Sequence, residues 1–99
     1  MPIIYHVTTA EEWNTAQQKG FYESASLTIE GFIHCSLDNQ VAAVLERYFA
    51  GKKDLVKLVI DTDKLVSSYV FDWSPSTADT FPHVYGPINL DAVIKVIAL

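Results

Sequence analysis

Apolar and polar residues alternate in three short stretches of this chain, and each stretch carries a histidine. They are Ile4-Tyr5-His6-Val7-Thr8, Gly31-Phe32-Ile33-His34-Cys35-Ser36 and Phe81-Pro82-His83-Val84-Tyr85-Gly86-Pro87. Alternation rich in β-branched and aromatic side chains predicts strands. Residues i and i+2 of a strand share a face. His6 therefore shares a face with Thr8, His34 with Phe32 and Ser36, and His83 with Phe81 and Tyr85. The pattern specifies these faces but not which strands are neighbours. If the three are neighbours in one sheet, imidazoles, hydroxyls and a phenol converge on one surface.

The remaining pattern supplies the frame. Residues 2–8 read as the first strand, opened by Met1-Pro2-Ile3-Ile4. Thr9-Ala10-Glu11-Glu12 has the Thr-x-x-Glu form of a capping box, so a helix starts there, with Trp13 and Ala16 inward and Gly20 as its left-handed stop. Residues 21–24 read as a short extended piece, 25–30 as a surface loop and 32–35 as a strand. Asp38 is the expected cap of a second helix, whose apolar positions Val41, Val44, Leu45, Tyr48 and Phe49 recur at helical spacing before Gly51. Leu55–Ile60 is apolar enough for a central strand. Asp61-Thr62-Asp63 is a turn signal, 68–73 a strand and 74–80 a polar loop. After Gly86-Pro87, a helical turn at Asn89–Ala92 leads to a last strand, 93–98. Two early helices followed by a run of strands predict a single α+β domain, 1–99. Its sheet is expected to be compact, split and largely antiparallel rather than doubly wound.

With 99 residues there is room for one core. No apolar run approaches the roughly 18 residues that span a bilayer, so no membrane partner is expected. The N-terminus lacks the pattern of a signal peptide. Cys35 is the only cysteine, so an internal disulfide is excluded and a cytoplasmic location is the simplest expectation. Twelve acids against seven bases give a net charge of -5, and Arg47 is the single arginine. A nucleic-acid partner needs a basic track, and Lys52, Lys53 and Lys57 are interrupted by Asp54. The charge suits a small-molecule ligand better.

Within that frame His34 and His83 are the candidate acid/base residues, because histidine titrates near neutrality. His34 stands at a strand end just ahead of a helix N-terminus, and His83 is framed by Pro82 and Gly86-Pro87, which restrict the backbone. Tyr5, His6, Thr8, Phe32, Ser36 and Tyr85 are the candidate ligand contacts. Cys35 falls on the face opposite His34. The histidines show no His-x-His or His-x-x-x-His pair, so a metal is not expected. The doublet His6-x-Thr8 and His34-x-Ser36 also matches the signature of two-histidine phosphoesterases, an alternative reading as a hydrolase.

Taken together, Ile4-Tyr5-His6, Gly31-Phe32-Ile33-His34-Cys35-Ser36 with Gln40, Leu55–Ile60 with Asp61, and Phe81-Pro82-His83-Val84-Tyr85-Gly86-Pro87 resemble the bacterial domain-of-unknown-function family 952 over nearly the whole chain. That family in turn resembles the ADP-ribosyltransferase-like fold, with a cleft for NAD. Ile4-Tyr5-His6-Val7-Thr8 is similar to the Leu-Tyr-His-Gly-Thr strand of its transferases. Ile33-His34-Cys35-Ser36 is similar to the Val-His-Leu-Ser segment of its RNA 2′-phosphotransferase branch. The resemblance implies NAD as cofactor, contacts to it from His6 and Thr8, and His34 and Ser36 flanking the same cleft. Val7 stands where the transferases have glycine. No glutamate stands in a segment matching their catalytic acid, which leaves Asp72 or Asp91 for that role. The expectation is a domain that binds a nucleotide-like or small polar metabolite, of NAD or ADP-ribose type, in a histidine-lined cleft with acid/base or transferase chemistry. A non-catalytic module recognising a protein or an ADP-ribosyl group is the alternative.

Overall fold

The computed structural model describes residues 2–99, and Met1 lies outside the described residues. In chain order it contains β1 (Ile3–Thr9), α1 (Ala10–Lys19), β2 (Phe21–Tyr22), α2 (Ala25–Glu30), β3 (Ile33–His34), α3 (Val41–Tyr48), β4 (Leu55–Asp61), β5 (Tyr69–Ser74), β6 (Asp79–Val84), β7 (Ile88–Asn89) and β8 (Val93–Ala98). The strands form two three-stranded sheets, in the orders β1-β4-β8 and β3-β6-β5, and a small β2-β7 pair. All the pairings are antiparallel. The architecture is α+β, as the element order predicts.

β4 is the middle strand of its sheet, as its apolar run requires. Its Val56, Leu58 and Ile60 pack with Ile4, Tyr22, Ile33, Val84 and Ile88 in the main core. The other face of β1 and β4 puts Val7 and Leu55 against Val41 of α3, with Tyr5, Leu45 and Phe49 around them. β1 is thus covered on both faces, which explains why His6 and Thr8 are buried despite being polar.

The two three-stranded sheets meet through residues 33–36. Ile33 and His34 pair with Val84 and His83 of β6, and Ser36 then exchanges both backbone hydrogen bonds with Tyr5 of β1, at 2.7 and 2.8 Å. Pro82 sits where the chain changes partner. Its carbonyl accepts from the Cys35 N–H at 3.0 Å, but proline has no N–H to return. The β3–β6 ladder loses a rung there, and the chain is free to turn toward β1. Pro82 is buried in the middle strand of its sheet, not on an edge.

Three local expectations are corrected. Residues 25–30 form α2 instead of a loop, giving three helices among the described residues. This six-residue helix buries no side chain fully, and the Ser24 hydroxyl bonds to Ser26 instead of capping the helix, so its sequence signal is weak. Asp38 does not cap the second predicted helix, which begins as a 3-10 turn over Asp38–Gln40. The buried Gln40 side chain performs that service, accepting from the Leu37 N–H at 2.9 Å. The 74–80 loop is a tight hairpin turn, with β5 running to Ser74 and β6 starting at Asp79. The turn expected at Asp61–Asp63 is present as a 3-10 turn over Thr62–Lys64, with the Asp61 carboxylate accepting from the Asp63 N–H at 3.0 Å.

Candidate functional site

His34 and His83 are register partners across β3 and β6. Directly opposite residues of antiparallel strands project to the same face. The neighbouring Cys35–Pro82 position carries the backbone hydrogen bond, so the histidine pair occupies the alternate type of position, where side chains approach most closely. The two rings lie 5.1 Å apart, edge to face. Phe32, two residues before His34, stacks on His83 at 4.1 Å and 17° and meets the His34 ring nearly edge-on at 4.9 Å. These contacts hold both imidazoles in fixed orientations.

Each imidazole is also held by a carboxylate. His34 Nε2 donates to Glu30 Oε2 at 2.7 Å, across one turn from the end of α2. His83 Nδ1 donates to Asp72 Oδ2 at 2.8 Å, diagonally across β5 and β6. The Tyr85 hydroxyl donates to the same Asp72 oxygen. Those two donors, Tyr85 first and His83 second, hold the Asp72 carboxyl below its usual range, and the Asp72 carboxylate raises the Tyr85 phenol. A carboxylate on Nδ1 fixes the tautomer of a neutral histidine and leaves Nε2 as its basic nitrogen. Asp72 thus orients the His83 ring and leaves its Nε2 free of a hydrogen-bond partner among the described residues.

The two histidines face a cleft of about 770 Å³. Its other walls come from β1 and α1 (His6, Thr8, Glu12), from α3 (Val44, Arg47, Tyr48), and from Trp73 and Phe81 of the β5–β6 hairpin. The Gln40 side chain donates to Asp79 and to the Thr80 carbonyl at 2.9 and 2.8 Å, tying the start of α3 to that hairpin.

His6 lies deeper. Its Nδ1 bonds to the His34 carbonyl and its Nε2 to the Tyr22 hydroxyl at 2.7 Å. Burial lowers its pKa to about 4, so it is neutral at pH 7. Tyr22 is buried too and its phenol is raised by desolvation. Burial likewise raises the Cys35 thiol, which removes it as a nucleophile near neutral pH.

Of the eight residues singled out by sequence, His6, Thr8, His34, Ser36 and His83 line the cleft. Tyr5, Phe32 and Tyr85 do not. Tyr5 points to the opposite face of β1 from His6, where it packs beside the Val7 cluster with Lys57 Nζ 5.3 Å from its ring. Phe32 and Tyr85 stand behind His83 and act on it through stacking and through Asp72. The sequence reading passed over Tyr22, Glu12 and Glu30. Tyr22 belongs to a two-residue strand with no periodicity, Glu12 reads simply as part of the capping box, and Glu30 lies in the helix taken for a loop. The spacing of Glu30 and His34, four residues apart, is the one local signal that was available. The His6-x-Thr8 and His34-x-Ser36 motifs are not equivalent in space, since His6 is buried against the backbone of His34 whereas the His34 ring is exposed. Among the described residues no group of three or more His, Cys, Asp or Glu side chains could hold a metal ion. No helix among them is long and apolar enough to cross a membrane.

The model of the protein family of unknown function DUF952 matches residues 7–96. The chain belongs to that family. It is similar in structure to protein CC0527 from Caulobacter crescentus, whose crystal structure superposes with a TM-score of 0.89 at 30% identity, covering 98% of this chain and 85% of that one. A crystal structure of a double mutant of CC0527 gives 0.88 at 28% identity, with the same coverage. The solution structure of CC0527 gives 0.84 at 30% identity, covering 100% of this chain and 85% of the other. No curated protein matches the sequence significantly.

Proposed function

We propose that this DUF952 protein binds a small nucleotide-like or other polar metabolite, of NAD or ADP-ribose type, in the histidine-lined cleft, and that His83 and His34 act on it as acid/base groups. The observation that carries this reading is the cross-strand histidine pair, each ring fixed by its own carboxylate at the edge of one cleft. An ion pair of purely structural value does not require two such dyads packed 5.1 Å apart. The cleft is within the size range of small-molecule sites, and Tyr48, Trp73 and Phe81 offer flat apolar surface for a heterocycle. Arg47 supplies a cation for an anionic group.

The ADP-ribosyltransferase-like likeness belongs to this proposal, in a modified form. His6 and Thr8, which contact NAD in the transferase pattern, are here engaged with Tyr22 and Glu12. Ligand contact accordingly shifts to His34 and His83, and Asp72 serves as the orienting acid behind His83.

The test is a thermal-shift and calorimetric screen with NAD, ADP-ribose and AMP. At least one is expected to bind the wild type, and both His34→Ala and His83→Ala are expected to weaken it severely while remaining folded. Binding that survives both substitutions would place the ligand elsewhere. Tight binding without turnover would favour a recognition module over an enzyme.

A further inference from the structure

Of the buried polar residues His6, Thr8, Ser36, Gln40, Asp61 and Thr62, all but Ser36 use their side chains in internal hydrogen bonds. Ser36 is 6% exposed, and its hydroxyl has no partner among the described residues. No side-chain nitrogen or oxygen fully shut off from solvent lacks a partner. The Ser36 hydroxyl therefore reaches open space, and the open space beside Ser36 is the cleft. The two usual employments of such a serine are not filled. The turn that follows begins at Leu37, whose N–H goes to the Gln40 side chain, so Ser36 caps nothing. Neither His34 nor His83 bonds to the hydroxyl, so it is not an activated nucleophile. Its backbone is nonetheless fixed, with N–H and carbonyl both paired to Tyr5.

The charges around the cleft are sorted by wall. Its carboxylates, Glu12 and Glu30, come from α1 and α2, and its one Lys or Arg side chain, Arg47, comes from α3. Both carboxylates already accept from protein groups, Glu12 from Thr8 and Thr9 and Glu30 from His34. Arg47 makes no ion pair among the described residues; its guanidinium lies 5.6 Å from the centre of the Tyr48 ring. It stands one turn after Ala43, which also lines the cleft. Side chains of a helix lean toward its N-terminus. In α3 that is the end which follows Ser36.

We propose that Ser36 and Arg47 form a phosphate subsite on the α3 wall of the cleft. The Ser36 hydroxyl donates to one terminal oxygen of the phosphate, and the Arg47 guanidinium pairs with the others. A terminal phosphate has three such oxygens, enough for a guanidinium fork and a hydroxyl together, whereas a carboxylate is filled by the fork alone. The opposite wall, with Glu12 and Glu30, repels the same group, so the subsite sets the direction in which the ligand lies. The inference rests on the ligand-binding reading of the cleft and adds which part of the ligand the α3 wall holds.

The first test needs no ligand. The Ser36 hydroxyl bonds to no protein group, so Ser36→Ala should leave the melting temperature unchanged or raise it. A drop of several degrees would show that the hydroxyl is structural and overturn the proposal. The second test titrates inorganic phosphate by NMR. It should shift the Ser36 amide and the Arg47 Nε–H along one saturable curve, and Arg47→Gln should abolish the Ser36 shift. No shift at these two groups, equal shifts at Lys52 and Lys53, or equal shifts from acetate would overturn the subsite. The third compares AMP with adenosine by calorimetry. AMP should bind about tenfold more tightly or better, and Ser36→Ala should weaken AMP about tenfold while leaving adenosine unchanged. Equal affinities for the two, or AMP binding untouched by Ser36→Ala and Arg47→Gln, would overturn the subsite and leave the cleft reading intact. Saturable phosphate shifts without nucleotide binding would support the subsite and count against the nucleotide reading alone.

Discussion

At the scale of single residues, the deciding effect is desolvation. His6 is almost fully buried, and its pKa falls from 6.5 to about 4. Between those values the unfolded chain holds a proton that the folded protein excludes, so stability is full above about pH 6.5 and declines as pH falls toward 4. The expected loss from this one group is about 3 kcal/mol. Denaturant melts at pH 7 and near pH 4 should show it, and the His6 ring shifts should stay constant through the range where an exposed histidine titrates. Tyr22→Phe removes the hydroxyl that bridges His6 Nε2 and Thr8 Oγ1 and strands buried polar atoms, at a cost of about 1–3 kcal/mol by chemical denaturation. Asp72 works on a different footing, being open to solvent. Asp72→Asn should lower the Tyr85 phenol titration toward the ordinary tyrosine value and release the His83 tautomer, both visible by spectroscopic titration.

Single residues were also where the sequence was most readable. The period of two put Phe32 with His34 and Tyr85 with His83, and the ring contact and the shared Asp72 agree, although Phe32 and Tyr85 lie just outside β3 and β6. It could not reveal that His34 and His83 are paired, since β3 is two residues long and its register depends on where Pro82 interrupts the ladder. Nor could it reveal Asp72 beneath His83, a diagonal contact created by the β5–β6 hairpin.

At the scale of elements, α2 carries the lesson. Its sequence, Ala25–Glu30, lacks a buried stripe, so periodicity does not mark it as a helix. Its clearest signal is Gly31, whose φ of 89° lies in the left-handed region and whose N–H closes the helix on Leu27. This end of the helix aims Glu30 at His34. Gly31→Ala meets no steric obstacle but must adopt that φ, and it is expected to cost about 1 kcal/mol. Circular-dichroism melts would measure the loss, and His34 line broadening would report loosening of the Glu30 contact. The long elements, by contrast, were legible: α1 with its Thr9 cap, α3 with its apolar stripe and β4 with its apolar run each satisfy local propensity and core packing together.

At the scale of the whole molecule, sequence composition speaks about partners and topology makes the site. A net charge of -5 and a single arginine are poorly suited to a phosphate backbone. A single-stranded RNA oligomer should therefore bind weakly at moderate salt in a filter or anisotropy assay; a tight, salt-sensitive complex would refute the charge argument. The cleft exists because residues 33–36 leave one sheet for the other, setting His34 and His83 beside the wall that holds His6, Thr8 and Glu12. The most direct measurement on this arrangement is a histidine-selective NMR titration of the wild-type protein with ADP-ribose, NAD and AMP. The account predicts that at least one of them shifts the His34 and His83 ring resonances together, along a single saturable curve. Ring resonances of both histidines that stay unmoved by all three, or a ligand that binds while leaving them unchanged, would contradict it.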